Sequence, residues 1–397
     1  MTRLDIAIAG CGIAGMANAL LLARQGHRVT IFERFDEARP VGSGLLIQPT
    51  GQAVLARLGL LEPLRAKGAR ITGLLGKAGS RTVLDVRYEW LGRDDAHGIG
   101  IHRADLFAIL HDALAAAGIP VVGGHAVERS ETTDDGRRLI FTDGRASPDF
   151  DLIIDGLGAA SPLSGAPARP LAYGALWATL DWTDDFAPHL LEQRYERASK
   201  MVGVLPLGGG KAAFFWSLRG DGLAGWRAGG LAPWKEQVAA LWPQVRPLLD
   251  QIVAPEQLTF ARYTHRTVRN PAGRGLIHVG DAWHSTSPQL GQGANMALLD
   301  AWALARALAQ GGDLDACLAR AISARWAHVR LYQTLSALFT PPYQSDGRVM
   351  PFLRDHIVPP FARRWPATRI QATMVAGTFG WPLRRLGLAD HQKDDTI

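Results

Sequence analysis

Cysteine is nearly missing from this chain: there are two in 397 residues, Cys11 and Cys317. Neither sits in a metal-type pair, so neither a disulfide framework nor a thiolate metal site is expected, and a reducing cytoplasm is the fitting compartment. Lysine is almost as scarce, with Lys67, Lys77, Lys200, Lys211, Lys235 and Lys393 set against 37 arginines. Those arginines are scattered and form no basic run or nucleic-acid motif. The net charge of +6 therefore points to a solvated surface and an anionic small ligand, not to nucleic acid. No uninterrupted apolar run reaches the roughly 20 residues of a membrane span, and no internal repeat or low-complexity tract occurs. No pair of titratable residues stands out as an acid and a base. What remains, 47% hydrophobic and 20% charged residues, is the composition of a folded globule large enough for two joined lobes.

The richest stretch is residues 4–33, LDIAIAGCGIAGMANALLLARQGHRVTIFE. Leu4 to Ala9 is a short apolar run stopped by Gly10 and reads as a strand. Gly10, Gly12 and Gly15 then give G-x-G-x-x-G. The first glycine permits a tight turn, the second lets backbone approach a pyrophosphate, and the third lets a helix pack against the strand. A helix is predicted over residues 16–25. Its N-terminal amides, with Ile13 and Ala14 at the turn, face the phosphates. Arg28 to Phe32 is the next strand, and Glu33 follows it, placed to accept the hydroxyls of an adenosine ribose. Arg34 is a further candidate contact. Asp5 before the apolar run and three glycines within it exclude a secretory leader.

Further along, Leu45 to Gln48 reads as a strand and Pro49 opens a helix that ends before Gly59. Residues 69–90 are strand-like, and a strand to His102 precedes a helix over 104–117. Residues 126–150 read as a hairpin. Asp151 to Ile154 is a buried strand ending in Asp155-Gly156-Leu157-Gly158. From 171 to 265 aromatic-rich strands dominate, interrupted by one predicted helix, Trp234 to Ile252. Gly275 to Val279 returns to a buried strand, and a helix follows from about Gly293 to Ala309. Residues 313–340 look helical. The texture is that of an antiparallel lobe inserted between two halves of a nucleotide domain. The expected division is a discontinuous cofactor domain (1–70, 98–170, 266–340), a sheet domain (71–97, 171–265) and a Pro-rich cover (341–397).

Gly280-Asp281-Ala282 with His284, and Ser287-Pro288-Gln289-Leu290-Gly291-Gln292-Gly293-Ala294-Asn295, carry a resemblance when joined to the N-terminal glycine turn. Together they resemble the FAD-dependent aromatic hydroxylases of the para-hydroxybenzoate hydroxylase type, over residues 1 to about 340. The fold implied is α/β: a Rossmann-like FAD-binding domain with an inserted antiparallel β-sheet substrate domain. In that family the residue matching Asp281 holds the ribityl chain of FAD. The Pro288–Asn295 segment runs beside the flavin ring, where amides at a helix start can stabilise negative charge. Gly42-x-Gly44 through Gln48 resembles the segment passing beneath the flavin. Arg103 matches an arginine near the phosphate and ribityl region.

The resemblance implies oxygen insertion from O₂ through a flavin C4a-hydroperoxide into an aromatic or electron-rich small molecule, with NADH or NADPH as reductant. Gln48, Trp177, Phe214, Phe215, Trp216, His284 and Pro288 are the pocket candidates, although strand aromatics are more often core and His284 reads sooner as a satisfied loop histidine than as a catalytic group. One departure stands out. Where the family shows Gly-Ala-Asp-Gly-x-x-Ser-x-x-Arg, this chain has Leu157 for the aspartate and Ser164 for the arginine; Asp155 is either a displaced carboxylate or a strand end. That leaves reduction by nicotinamide less secure than FAD binding. It keeps open a flavin oxidase or dehydrogenase without oxygen insertion, or a non-catalytic flavin-binding protein. A flavin halogenase is disfavoured, because its W-x-W-x-I-P segment is missing.

Overall fold

The structure, a computed structural model, describes residues 3–39, 43–93, 95–165 and 167–389; Gly42 lies outside them. Asp5–Ala9 is an inner strand of a six-stranded sheet. Its order is Ala272–Gly273, Leu276–His278, Leu152–Asp155, Asp5–Ala9, Arg28–Phe32, Val121–Val122. The pairings are parallel except for the hairpin at one edge. Ile6 to Ala9 are buried because protein covers both faces, as a parallel sheet requires. The first helix, Ile13–Arg24, begins earlier than the 16–25 read from sequence, since Gly12 is still extended and helical geometry starts at the next residue. A Cβ on Gly15 would lie 2.0 Å from the Gly10 carbonyl oxygen, so only glycine lets this helix close against the turn.

The second large sheet has seven strands, ordered Thr259–His265, Arg169–Asp181, Lys211–Arg219, Lys200–Gly208, Leu190–Glu196, Gly73–Ala78, Arg81–Arg87. It is antiparallel except at one seam, where Leu190–Glu196 runs parallel to Gly73–Ala78. That seam joins the two chain segments that build the sheet. No hairpin links them, so nothing forces opposite directions there. A small sheet of Gly44–Ile47, Gly98–His102 and Ala69–Ile71 lies between the large ones. It approaches the seven-stranded sheet closely: a Cβ on Gly100 would meet the Pro206 carbonyl oxygen at 2.1 Å.

Helices cover the outer face of the seven-stranded sheet. The single helix expected from Trp234 to Ile252 is instead Leu231–Leu241 and Arg246–Asp250, joined by a 3₁₀ turn at Pro243–Val245, with a further helix, Leu223–Gly229, before them. Pro243 and Pro247 lack the N–H that a continuous helix needs. This layer corrects two pocket assignments. Phe214 and Trp216 share their strand face with Leu176 and Val202 and pack under Trp234, Val238 and Leu248. Phe214 meets Trp234 edge-on, with ring centroids 6.1 Å apart. Period-two alternation sends Phe215 to the opposite, inner face, where it packs on Trp177 with centroids 4.7 Å apart.

Leu314–Tyr343 is one 30-residue helix, running past the predicted end at residue 340. The tail then folds as short helices, Val349–His356, Pro359–Ala362, Ala367–Val375 and Pro382–Arg385. Buried Arg354 pins the first of them, its guanidinium lying over Tyr195 and Tyr343 at 4.7 and 5.1 Å. The expected cover over the substrate lobe extends further than that lobe. Ala372, Val375 and Ala376 pack with Leu46, Tyr88 and Leu205, whereas Leu386 and Leu388 join the core of the nucleotide lobe.

Because Phe214 belongs to the helical layer, Phe214→Ala should destabilise the protein by about 3–5 kcal/mol while leaving FAD affinity within about twofold. Urea unfolding and flavin titration together check this.

Candidate active site

The parallel sheet brings three sequence-distant pieces to its carboxyl edge. The glycine turn is held by Glu33: the Cys11 N–H donates to Glu33 Oε2 at 2.8 Å and the Phe35 N–H to Oε1 at 3.2 Å. Burial, and then the Glu33 carboxylate, push the Cys11 thiol up to about 12, so it stays protonated. Gly12 is exposed and a Cβ there would meet nothing within 4 Å. No side chain caps the helix start at Ile13, and no acid sits in its first turn. Its first amides, including those of Ala14 and Gly15, have no partner within the helix.

The second piece is Gly280–Asn295. Gly280 has φ +58°, and a Cβ there would lie 3.1 Å from Ala297 and 3.4 Å from Ala14. The N-terminal ends of helices Ile13–Arg24 and Gly293–Ala309 thus meet at one glycine, through Ala14 in the first turn of one and Ala297 at the start of the second turn of the other. Gly293–Ala309 also has no side-chain cap and no acid in its first turn. Pro288 opens an exposed 3₁₀ turn, Gly291 is left-handed at φ +61°, and Ala294 lies in the uncapped turn. Asn295 is fully used by the protein. Its Oδ1 accepts from the Gln48 N–H at 2.8 Å, and its Nδ2 donates to the Leu46 and Gly291 carbonyls at 3.1 and 3.0 Å. Only its backbone remains for a ligand.

Asp281 and Arg103 form the third piece, between the two helix starts. The Asp281 carboxylate reaches solvent in a groove walled by protein, 3.8 Å from where a Gly293 Cβ would lie. That crowding raises its carboxyl above the usual value, opposed by the charges of His284 and Arg103. Burial lowers Arg103, and Asp281 and then Tyr263 oppose the shift. The Arg103 Nε is buried without a hydrogen-bond partner. Sequence reasoning did not find Tyr263. Its hydroxyl accepts from Trp177 Nε1 at 2.9 Å, and nothing in the strand pattern distinguishes it.

Other assignments move. Exposed Arg34 lies 4.6 Å over the Phe35 ring. His284 is a core residue, not a pocket wall: its Nε2 pairs with Asp300 Oδ2 at 2.6 Å. Asp300 also accepts from the Gly280 N–H at 2.9 Å and from Arg325 Nε at 2.8 Å. Arg325 reaches His328 Nδ1 at 2.8 Å, and His328 Nε2 donates to the Gly377 carbonyl at 3.0 Å. Asp155 is a strand-end anchor and not a displaced cofactor ligand. Its carboxylate accepts from Leu157 N–H and Ser161 Oγ and pairs with His278 at 2.6 Å.

A dinucleotide fits these residues: an open glycine turn, two uncapped helix starts, an orphan arginine nitrogen and a groove-facing carboxylate offer complementary partners along one path. They define a two-lobed nucleotide-dependent protein with a second, aromatic-walled lobe over the groove. The family profile described as "FAD binding domain" matches residues 3–153 and 187–313. Kynurenine 3-monooxygenase of Stenotrophomonas maltophilia is 30% identical over 400 residues, covering 91% of this chain and 84% of that protein. 3-Amino-4-hydroxybenzoate 2-monooxygenase of Streptomyces cremeus is 29% identical over 320 residues, covering 74% and 76%. Among solved structures, the tetrameric form of 2-methyl-3-hydroxypyridine-5-carboxylic acid oxygenase superposes with a TM-score of 0.79 at 18% identity, covering 97% and 98%. The chain belongs to the FAD-dependent aromatic hydroxylase family. It is an FAD-dependent monooxygenase and so an oxidoreductase.

The Asp300 network sets the acid behaviour of the fold. Burial alone would raise the Asp300 carboxyl, but His284 and Arg325 outweigh it and hold it at about 2. Burial, with Arg325 behind it, pushes His328 down to about 3. Below its ordinary value of 6.5, an unfolded His328 takes a proton that the folded one refuses, so stability falls with pH from 6.5 toward 3. Asp300 adds a second loss between 3.8 and about 2. Urea midpoints measured across this range should fall continuously. His328→Asn should flatten the upper segment by up to about 1.4 kcal/mol per pH unit.

Proposed function

We propose that the groove seats FAD with its pyrophosphate over Gly10, Gly12 and the amides of Ile13, Ala14 and Gly15, and with the adenosine ribose at Glu33. Arg103 and Asp281 would hold the middle of the cofactor, and the loop Pro288–Ala294 would lie along the flavin ring. The observation that carries this reading is the junction at Gly280, where two uncapped helix starts come together beside Arg103 and Asp281. When bound, FAD supplies the electron storage and oxygen activation, with NADH or NADPH as the reductant and O₂ as co-substrate.

The chain's own residues orient and shield the substrate. The inner face of the seven-stranded sheet offers Trp177, tilted on Phe215 and hydrogen-bonded to Tyr263, as an aromatic wall opposite the flavin loop. An electron-rich aromatic ring would stack there, away from bulk water, which protects a reactive oxygen donor from hydrolysis. With FAD bound, the amides of Gly293 and Ala294 at the uncapped helix start would favour negative charge on it without a mobile cation. Relatives named for an aminohydroxybenzoate and for kynurenine support an aminated or hydroxylated aromatic substrate. The nucleotide lobe would be built from residues 1–70, 98–170 and 266–340, and the substrate lobe from 71–97 and 171–265. Two buried, unpaired thiols suit the cytoplasm.

Purified protein should carry a yellow flavin that bleaches when mixed anaerobically with NADH or NADPH, faster with an aromatic ligand present. A flavin that stays oxidised with both reductants across a ligand panel would reject the nicotinamide-driven reading and favour an oxidase. Arg103→Ala should weaken FAD binding by about 10-fold or more, as loss of a charged hydrogen bond predicts, measured by flavin fluorescence quenching.

A further inference from the structure

Gln48 lies between strand Gly44–Ile47 and helix Pro49–Arg57, with no exposed surface. Its backbone is fixed by the bond from its N–H to Asn295 Oδ1. The Tyr88 hydroxyl, itself buried, donates to Gln48 Oε1 at 2.5 Å. A buried phenol has one proton to place, and Gln48 Oε1 is the acceptor it finds. That bond fixes which end of the amide is oxygen and turns Nε2 away from Tyr88. Burial pushes the Tyr88 hydroxyl well above its usual value, so it remains a donor.

Gln48 Nε2 is buried and has no hydrogen-bond partner. It lies 4.0 Å from where a Cβ on Gly291 would sit, against the loop assigned to the flavin. Buried donors are rarely left unpaired unless something outside the chain completes them. The groups holding this amide, Tyr88, Asn295 and the Gly291 loop, are uncharged. An anion drawn to it would lose hydration without a cation in return, whereas a neutral carbonyl would not.

We propose that Gln48, oriented by Tyr88, donates through Nε2 to a neutral carbonyl oxygen held in the cleft. The proposal rests on the flavin-dependent monooxygenase reading and makes Gln48 a specificity residue. Two molecules could bring such an oxygen: a ring substrate bearing a ketone, amide or lactam, and the pyrimidine carbonyls of the flavin.

The test uses wild type, Gln48→Leu, Gln48→Glu and Tyr88→Phe as FAD-loaded proteins, with salicylamide, salicylate and phenol as probes read by perturbation of the flavin spectrum. FAD is titrated separately into the stripped proteins. Substrate recognition predicts that wild type prefers salicylamide to phenol, and that Gln48→Leu weakens salicylamide binding by about 10-fold or more, the scale of one buried hydrogen bond. Phenol and FAD affinities should then hold, and Tyr88→Phe should show the same pattern more weakly. Flavin recognition predicts instead a lower FAD affinity and a shifted spectrum in Gln48→Leu without any probe. Either result supports the donor and names its source. Should Gln48→Leu fail to fold, Gln48→Glu, which replaces the donor by an acceptor at equal size, carries the same expectations. Unchanged FAD affinity together with no loss of salicylamide preference, or no such preference in wild type, would overturn the proposal. Protein that binds salicylamide but is not reduced by either nicotinamide would instead sink the monooxygenase reading and leave the Gln48 result standing.

Discussion

One buried negative charge organises the centre of this molecule. Asp300 takes hydrogen bonds from the Gly280 amide, His284 and Arg325, and Arg325 passes the linkage through His328 to the carbonyl of Gly377. A carboxylate without such partners would be far too costly to bury; with them it is held ionised, and each partner is in turn fixed. The Gly280 bend, the long helix Leu314–Tyr343 and the tail turn are therefore set by the same charge. The Gly280 bend in turn decides where two helix starts meet.

Those helix starts bring partial positive charge to the groove, where Glu33 holds the glycine turn and Asp281 stands beside Arg103. Arg103 stands against Asp281, so the middle of the groove is near neutral while the glycine turn is positive. Such a distribution would suit a dinucleotide whose pyrophosphate lies over the glycine turn, with an adenosine to one side and an uncharged ring to the other. The second lobe adds the aromatic wall, and the small sheet carrying Gly44 and Gly100 lets the lobes approach to backbone contact.

Much of the nucleotide lobe was legible in the sequence because its constraints are local. Gly10, Gly12, Gly15 and Glu33 are each demanded by a turn, a close packing or a strand end within 30 residues. The same holds for Gly280, Asp281 and Gly291. The second lobe was legible only as strands. Alternation shows that Phe214 and Phe215 face opposite ways, but which face carries the helical layer is decided by Trp234 and Leu248, on separate helices further along the chain. His284 could be read either as a site or as core because its partner, Asp300, sits 16 residues on and carries no motif. Asp155 likewise became an anchor once Ser161 and His278 were seen to surround it. Gln48 was drawn from its place next to a glycine strand, whereas its partner Tyr88 comes from a segment whose pattern says only that it is a strand.

The tail turn at Thr373–Gly380 has a bearing on how the protein is made. Gln292 Nε2 donates to the Val375 carbonyl at 2.6 Å, Tyr332 donates to that of Met374 at 2.9 Å, and Gly377, with φ +79°, fits against Thr50 and Gln292. A ribosome delivers this turn after every other part of the cleft. Until then Gln292 and Thr50 lack the backbone that braces them, so a nascent chain can assemble the glycine turn at its N-terminus early yet cannot finish the flavin loop. Completion of the cofactor seat thereby waits on synthesis of Thr373–Gly380, and a chain cut short before that turn keeps a nucleotide turn without a braced ring pocket.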